Sequence, residues 1–146
     1  MAADTPQNLA NHARILPAYH YVAFPLFAIY FFYAIYELVV NPGLATVMGL
    51  ALAVALVLLF VLARTMALTV QNRVIRLEER LRMRALLPAD LQGRIEEFSV
   101  KQLVALRFAC DAELPALART VLDNKIEDQK AIKQLVTQWR ADYLRA

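Results

Sequence analysis

The chain has few of the residues from which catalytic sites are built. Its 146 residues include one cysteine, two histidines and three glycines, and its one serine is Ser99. A single cysteine, Cys110, excludes an intrachain disulfide framework and supplies no metal cluster. With one serine and one cysteine, the usual nucleophile–base arrangements of hydrolases cannot be assembled. We therefore predict that the protein is not an enzyme, and we predict no cofactor.

Charge is scarce in the first part of the chain. Residues 1–63 hold three charged side chains, which are Asp4, Arg14 and Glu37. Residues 64–84 hold six arginines against two glutamates, whereas residues 85–146 hold nine basic and nine acidic residues. The net charge of +3 therefore arises in one short segment that follows the charge-poor part.

Two long hydrophobic runs occupy the charge-poor part. The run at residues 21–40 would span about 30 Å as a helix, the thickness of a bilayer core. The run at residues 44–63 has no charge, and Asn41, Pro42 and Gly43 between the two runs form a helix-breaking turn. We predict an integral membrane helical hairpin of two transmembrane helices over residues 19–63, with its turn at 41–43.

The arginines predict how this hairpin is oriented. The turn has no Lys or Arg, whereas Arg14 precedes the first run and Arg64 follows the second. We expect a multi-pass protein of the bacterial cytoplasmic (inner) membrane with both termini in the cytoplasm. Residues 1–18 would then form a cytoplasmic N-terminal segment.

Residues 64–88 are predicted to continue the second span as a basic amphipathic helix that ends at Pro88. One face carries an apolar seam with the spacing of a helix–helix contact. A parallel basic stripe follows the same helix and could face anionic lipid headgroups or a protein. The apolar seam consists of Val70, Val74, Leu77 and Leu81, and the basic stripe of Arg73, Arg76, Arg80 and Arg84.

Residues 89–146 are predicted to form a small cytoplasmic domain of short helices, which makes the whole fold all-α. Ser99 and Gln102 have the spacing of a capping box at a helix start. Asp111 is predicted to cap the next helix, and the last helix is predicted to extend as far as Tyr143.

Two further features of the hairpin are candidate sites. Ala45, Gly49 and Ala53 repeat at intervals of four residues, a spacing that lets helices approach closely. His12 and His20 lie at the predicted cytoplasmic boundary, where an imidazole could ligate the metal of a haem or chlorophyll. A hydrogen bond to lipid headgroups is the alternative role for both histidines.

Four ordered segments resemble a known family. They run through residues 7–20, 71–82, 102–115 and 132–143, and they include Gln71-Asn72-Arg73 and Trp139-Arg140-Ala-Asp142-Tyr143. The resemblance is to short bacterial two-span membrane proteins catalogued only as a domain of unknown function. It covers nearly the whole chain, and it implies no activity, cofactor or catalytic residue.

The predicted function is that of a non-catalytic accessory or scaffolding subunit. Its partners would be other membrane protein subunits, for example of a respiratory or photosynthetic complex, together with membrane lipids. Nucleic acid is not an expected partner, since the C-terminal helices have no net charge. The alternatives are a pigment- or haem-binding protein that uses His20 or His12, and a signalling module that binds anionic lipid.

Overall fold

The computed structural model describes residues 7–9, 11 and 15–143, and this part of the chain is helical with no strand. It divides into two compact units. The first, which we call the hairpin unit, comprises residues 14–68. The second, the clamped unit, comprises residues 1–13 together with residues 69–146. The clamped unit is thus built from two separate stretches of sequence.

The hairpin unit contains two long apolar helices. Helix α1 begins with a π-helical stretch at Ala18–Ala23 and continues as an α-helix over Phe24–Val40. Helix α2 spans Leu44–Leu86 and therefore extends into the clamped unit. Between them, the Thr46 hydroxyl accepts a bond from the Gly43 amide (3.0 Å) and donates to the Asn41 carbonyl (3.0 Å). The two helices are separated at residues 41–43, and α2 continues without a break from its apolar part to Leu86.

Both helices are long and apolar enough to cross a membrane, and little of either is buried within the protein. Ala34 and Ala53 are the buried hydrophobic residues between Ile15 and Leu68. At one end, Phe60 stacks on the Tyr19 ring at 4.1 Å and contacts Phe27 edge-on at 5.4 Å. Most other large apolar side chains of the hairpin are exposed.

The clamped unit has a compact apolar core. Helix α2 ends just before Pro88, which has no backbone N–H to continue the helix. Pro88 has an extended backbone and precedes the next helix. Met83, Leu91, Leu106 and Phe108 are fully buried. The short helices that supply this core are α3 (Ala89–Gln92), a 3₁₀ turn (Ile95–Glu97), α4 (Val100–Leu106), α5 (Leu114–Asp123) and α6 (Gln129–Leu135).

The predicted capping box is present, but the predicted cap at Asp111 is wrong. Ser99 accepts from the Gln102 amide and the Gln102 side chain accepts from the Ser99 amide. Helix α5 instead follows Glu113, which makes no side-chain cap, and the Asp111 carboxylate binds Arg82. The carboxylate predicted to cap this helix is instead an ion-pair partner of α2.

The last helix is shorter than predicted. It ends at Leu135 rather than near Tyr143. Beyond it, the amide of Thr137 donates to the Glu113 carboxylate (3.1 Å), and the amide of Arg140 donates to the Phe108 carbonyl (2.7 Å). These backbone groups find partners outside a helix, so the apolar periodicity that continues to Tyr143 does not produce one.

Candidate functional site

The apolar seam lies exposed on the part of α2 that belongs to the clamped unit. The opposite face of the helix is the one that packs on the unit, through Ile75, Glu79 and Met83, all buried. At about 100° per residue, the seam and this packed face lie roughly 170° apart. The exposed fractions are 62% for Val70, 49% for Val74, 62% for Leu77 and 55% for Leu81.

The basic stripe divides into two halves with different partners. Arg80 pairs with Glu96 at 2.6 Å, and Arg84 lies 3.8 Å from the same carboxylate. Arg73 and Arg76 are exposed and pair with no acidic residue in the described part of the chain. The charge that the basic stripe can offer to a lipid or a protein is therefore concentrated in Arg73 and Arg76.

The three small residues of α2 occupy different environments. Ala53 is 1% exposed, whereas Ala45 is exposed and Gly49 is partly exposed. A Cβ atom added at Gly49 would meet no atom within 4 Å. Of these three small residues, only Ala53 is closely packed within one copy of the hairpin.

His20 is held by the backbone one turn earlier. Its Nδ1 lies 3.0 Å from the Leu16 carbonyl and 3.2 Å from the Leu16 amide nitrogen. Any ligand to this imidazole would therefore bind at Nε2. His12 lies outside the described residues. Within those residues, no group of three or more His, Cys, Asp or Glu side chains could hold a metal ion.

Glu37 lies at the turn end of α1. Its carboxylate accepts a hydrogen bond from the Asn41 side chain at 3.2 Å, and this contact is exposed. The position fits a solvated carboxylate beside the turn.

A buried ionic cluster in the clamped unit was missed by the sequence analysis. Its centre is Glu79, whose side chain is 5% exposed and pairs with Arg82 at 3.0 Å. Arg82 also binds Asp111 at 2.6 Å and donates to the Ala109 carbonyl at 2.7 Å. One arginine thus joins α2 to the segment between α4 and α5.

The cluster extends to both ends of the chain. Arg140 lies 3.5 Å from the Glu79 carboxylate, and Arg107 pairs with Asp142 at 3.1 Å. The buried Gln7 side chain accepts from the Asp142 amide (2.9 Å) and donates to the Asp142 carbonyl (3.3 Å). These contacts hold the N-terminal and C-terminal segments in one unit.

Burial raises the pKa of Glu79, and the positive charges of Arg82 and Arg140 oppose that shift. The apolar part of α2 ends at Ala63, so Glu79 lies outside the hydrophobic run. Because its two carboxylate oxygens already have partners, the group has little capacity to bind a further ligand. The arrangement is chemically suited to holding the unit together.

The sequence did contain one signal for this cluster. Gln7, Glu79, Arg107 and Asp142 come one each from the four segments that carry the family resemblance. Residues that are far apart in sequence but stand in such segments could have been tested as partners. Periodicity alone gave no reason to pair them, because it describes one helix at a time.

These features define an all-α protein in which a small, ionically clamped helical unit is joined to a hairpin of two long apolar helices. The chain belongs to DUF6526, a family of unknown function, whose model matches residues 1–146. The predicted resemblance to a domain of unknown function is therefore confirmed over the whole chain. No curated protein and no solved structure matches the chain.

Proposed function

We propose that this protein is a non-catalytic accessory or scaffolding subunit anchored in the bacterial inner membrane. Its hairpin spans the bilayer, and both termini lie in the cytoplasm. The clamped unit and α2 bind a larger membrane protein complex, for example a respiratory or photosynthetic one. The observation that supports this most directly is the exposed apolar surface of the hairpin.

A soluble protein would bury helices of this composition. Only 6% of the most apolar window of each helix is buried, whereas the core helix of a soluble protein is mostly buried. Phe32, Leu44, Leu59 and Met66 are among the large apolar side chains left exposed. A contiguous apolar surface that exceeds a few hundred Å² requires a covering of lipid or protein. Two bilayer crossings supply it.

The clamped unit supports the proposed topology. Gln7 binds the backbone of Asp142, so segments from before and after the hairpin fold together. Such a unit needs both ends on one side of the membrane, which requires an even number of crossings. The excess of arginine after the apolar part of the second helix favours the cytoplasmic side.

The difference between paired and outward-facing side chains supports a binding role over a catalytic one. The charged residues of the ionic cluster pair with each other, whereas the apolar seam, Arg73 and Arg76 face outward. An exposed apolar strip with a basic border is a surface for another macromolecule.

The test begins with membrane fractionation of cells that express the full chain. We expect the protein to stay in the pellet after alkaline carbonate washing, and release into the supernatant would contradict the anchor. Native mass spectrometry after extraction in a mild detergent should then find the chain bound to a different subunit. A species that contains only copies of this chain would contradict the accessory role.

A pigment- or haem-binding function is the second candidate. Nδ1 of His20 lies within hydrogen-bonding distance of the Leu16 carbonyl, and a bond of this kind orients many metal-ligating histidines. If this function holds, the purified protein absorbs visible light and His20→Ala abolishes the absorption. A colourless wild-type protein would reject this candidate.

A further inference from the structure

We propose that the apolar seam (Val70, Val74, Leu77 and Leu81) binds the same seam of a second copy of this chain, as a parallel two-stranded coiled coil. This inference rests on the membrane anchoring in the proposed function, but it does not depend on the larger complex. It assigns an occupant to a helix face that the clamped unit leaves open.

The seam has the register of a coiled coil. Its spacings of four, three and four residues place Val70 and Leu77 at d positions and Val74 and Leu81 at a positions. A β-branched residue at a, such as Val74, followed by Leu77 at d favours two strands. The face that packs on the clamped unit lies almost opposite, so the unit leaves the a and d positions accessible.

The charges beside the seam select a second copy in parallel orientation. In the same register Arg73 is a g position and Glu78 is the e position of the next heptad. These two positions meet across a parallel coiled coil, so each copy's Arg73 would face the other copy's Glu78. Both side chains are exposed, and neither has an ion-pair partner among the described residues.

An antiparallel pair would lose this complementarity. Positions g face g and e faces e in that arrangement, so Arg73 would approach the Arg80 of the other copy. Two copies anchored in one membrane with the same topology must also present α2 in the same direction. The membrane and the charge pattern therefore favour the same orientation.

The size of the seam indicates where pairing occurs. Its four exposed side chains offer roughly 400 Å² per copy, or about 800 Å² in total, below the 1,200 Å² of a standard stable interface. A short seam of this size pairs weakly in free solution. Confinement of both copies to one membrane raises their effective concentration and makes the pairing favourable.

Disulfide trapping in native membranes tests the proposal. Cys110→Ser gives a chain without cysteine, and Leu77→Cys on that background places a thiol in the seam. We expect mild oxidation to yield a disulfide-linked dimer. The matched control is Arg76→Cys, because Arg76 is exposed on the same helix outside the seam. It should yield at least five-fold less dimer.

Mixed cysteines test the orientation. Val70→Cys and Leu81→Cys, each alone, should form dimers, whereas the two variant chains expressed together should form little mixed disulfide between positions 70 and 81. Abundant mixed product would contradict the parallel arrangement. Equal trapping at position 76, or no dimer at position 77, would contradict the second copy as occupant. An adduct between position 77 and a different protein, with no dimer, would overturn this proposal and leave the proposed function intact.

Charge exchange tests the specificity. In the Leu77→Cys background, Arg73→Glu should reduce dimer yield several-fold because two glutamates then face each other, and Glu78→Arg should do so through two arginines. When the two variants are expressed together, each mixed pair again joins opposite charges. We expect a dimer of one chain of each kind, distinguished by different tags. Failure of the mixed dimer to recover would contradict the assigned pairs.

Discussion

Replacement of Arg82 by methionine should destabilise the clamped unit more than any other single arginine substitution in α2. Methionine keeps much of the length of the side chain but removes the charge that pairs with the buried Glu79. It also removes the bonds to Asp111 and to the Ala109 carbonyl. The substitution therefore leaves the buried Glu79 carboxylate without the positive charge of Arg82.

Removal of one partner of a buried ion pair costs about 3–5 kcal/mol. We expect the lower end of this range, because Arg140 still lies 3.5 Å from Glu79. For a unit of this size, m is about 1 kcal/mol/M in urea, so a loss of about 3 kcal/mol lowers the unfolding midpoint by roughly 3 M. Such a loss is a large fraction of the 5–15 kcal/mol that typically stabilises a domain.

Trp139 provides the assay. It is the one tryptophan of the chain, and its ring lies 4.9 Å from Phe108 in the core of the clamped unit. Its fluorescence during urea titration in mild detergent therefore reports on this unit and not on the hairpin. The matched control is Arg84→Met, which disturbs only an exposed contact of 3.8 Å and should cost less than about 1 kcal/mol.

A double variant separates the ion pair from general packing. If the cost of Arg82→Met arises from the uncompensated carboxylate, then the variant with both Glu79→Met and Arg82→Met should be more stable than Arg82→Met alone. A midpoint shift for Arg82→Met no larger than that for Arg84→Met would refute the reasoning. An additive loss in the double variant would contradict the electrostatic explanation.

Three further predictions concern the same unit. Ser99→Ala should cost about 1 kcal/mol by the same fluorescence assay because it removes the capping box, and a shift under about 0.2 kcal/mol would contradict that role. Lys125→Gly should stabilise the unit by about 1 kcal/mol because Lys125 has a φ of 50°, whereas Lys130→Gly within α6 should destabilise it. Because burial raises the pKa of Glu79, the folded unit takes up a proton there at a higher pH than the unfolded chain does. Lowering the pH from about 8 toward 5 should therefore raise the stability of the wild type relative to that of Glu79→Gln. A stability difference that is independent of pH would contradict the raised pKa.

The lipid hypothesis gives one more expectation. Liposomes that contain anionic lipid should protect the arginine-rich part of α2 from protease more strongly at low salt than at high salt. Arg73→Gln with Arg76→Gln should abolish the salt dependence, whereas Arg80→Gln with Arg84→Gln should change it less, because Glu96 already binds those two arginines. Equal effects of the two double variants would contradict this division of the basic stripe.

Much of the helical architecture could be predicted because its signals are local. The breakers at Pro42, Gly43 and Pro88 fix where α2 begins and ends, and the uncharged run before Arg64 requires a long apolar helix. The capping box at Ser99 is equally local, since both of its partners lie within four residues. In each case the residues that determine the local structure are neighbours in the sequence.

The ionic cluster and the last segment could not be predicted in this way. Glu79 stands in a row of charged residues that is typical of a solvated face, yet its carboxylate is buried by contacts with Arg82 and with the distant Arg140. The periodicity up to Tyr143 is compatible with a helix, but tertiary hydrogen bonds to Glu113 and Phe108 draw the chain into an extended path. Both outcomes depend on pairs that become neighbours only after folding.

The seam illustrates a third situation. Its apolar spacing predicts a contact face on α2, and the structure leaves this face exposed while Ile75 and Met83 on the other side pack against the unit itself. A helix with two apolar faces has one partner in its own chain and a second face that sequence periodicity cannot assign. The charges of Arg73 and Glu78 supply the additional information.

The bond between Gln7 and Asp142 has a consequence for the order of biosynthesis. These residues are 135 positions apart, so the ribosome must make all of the intervening residues before the contact can form. Under the proposed anchoring, the segment that contains Gln7 is synthesised first, and the hairpin that follows it enters the membrane before the contact forms. Closure of the unit around Gln7 therefore follows the synthesis of both hairpin helices. A translation product that stops before residue 142 would carry an inserted hairpin with its N-terminal segment still undocked, a state that quality-control proteases could recognise.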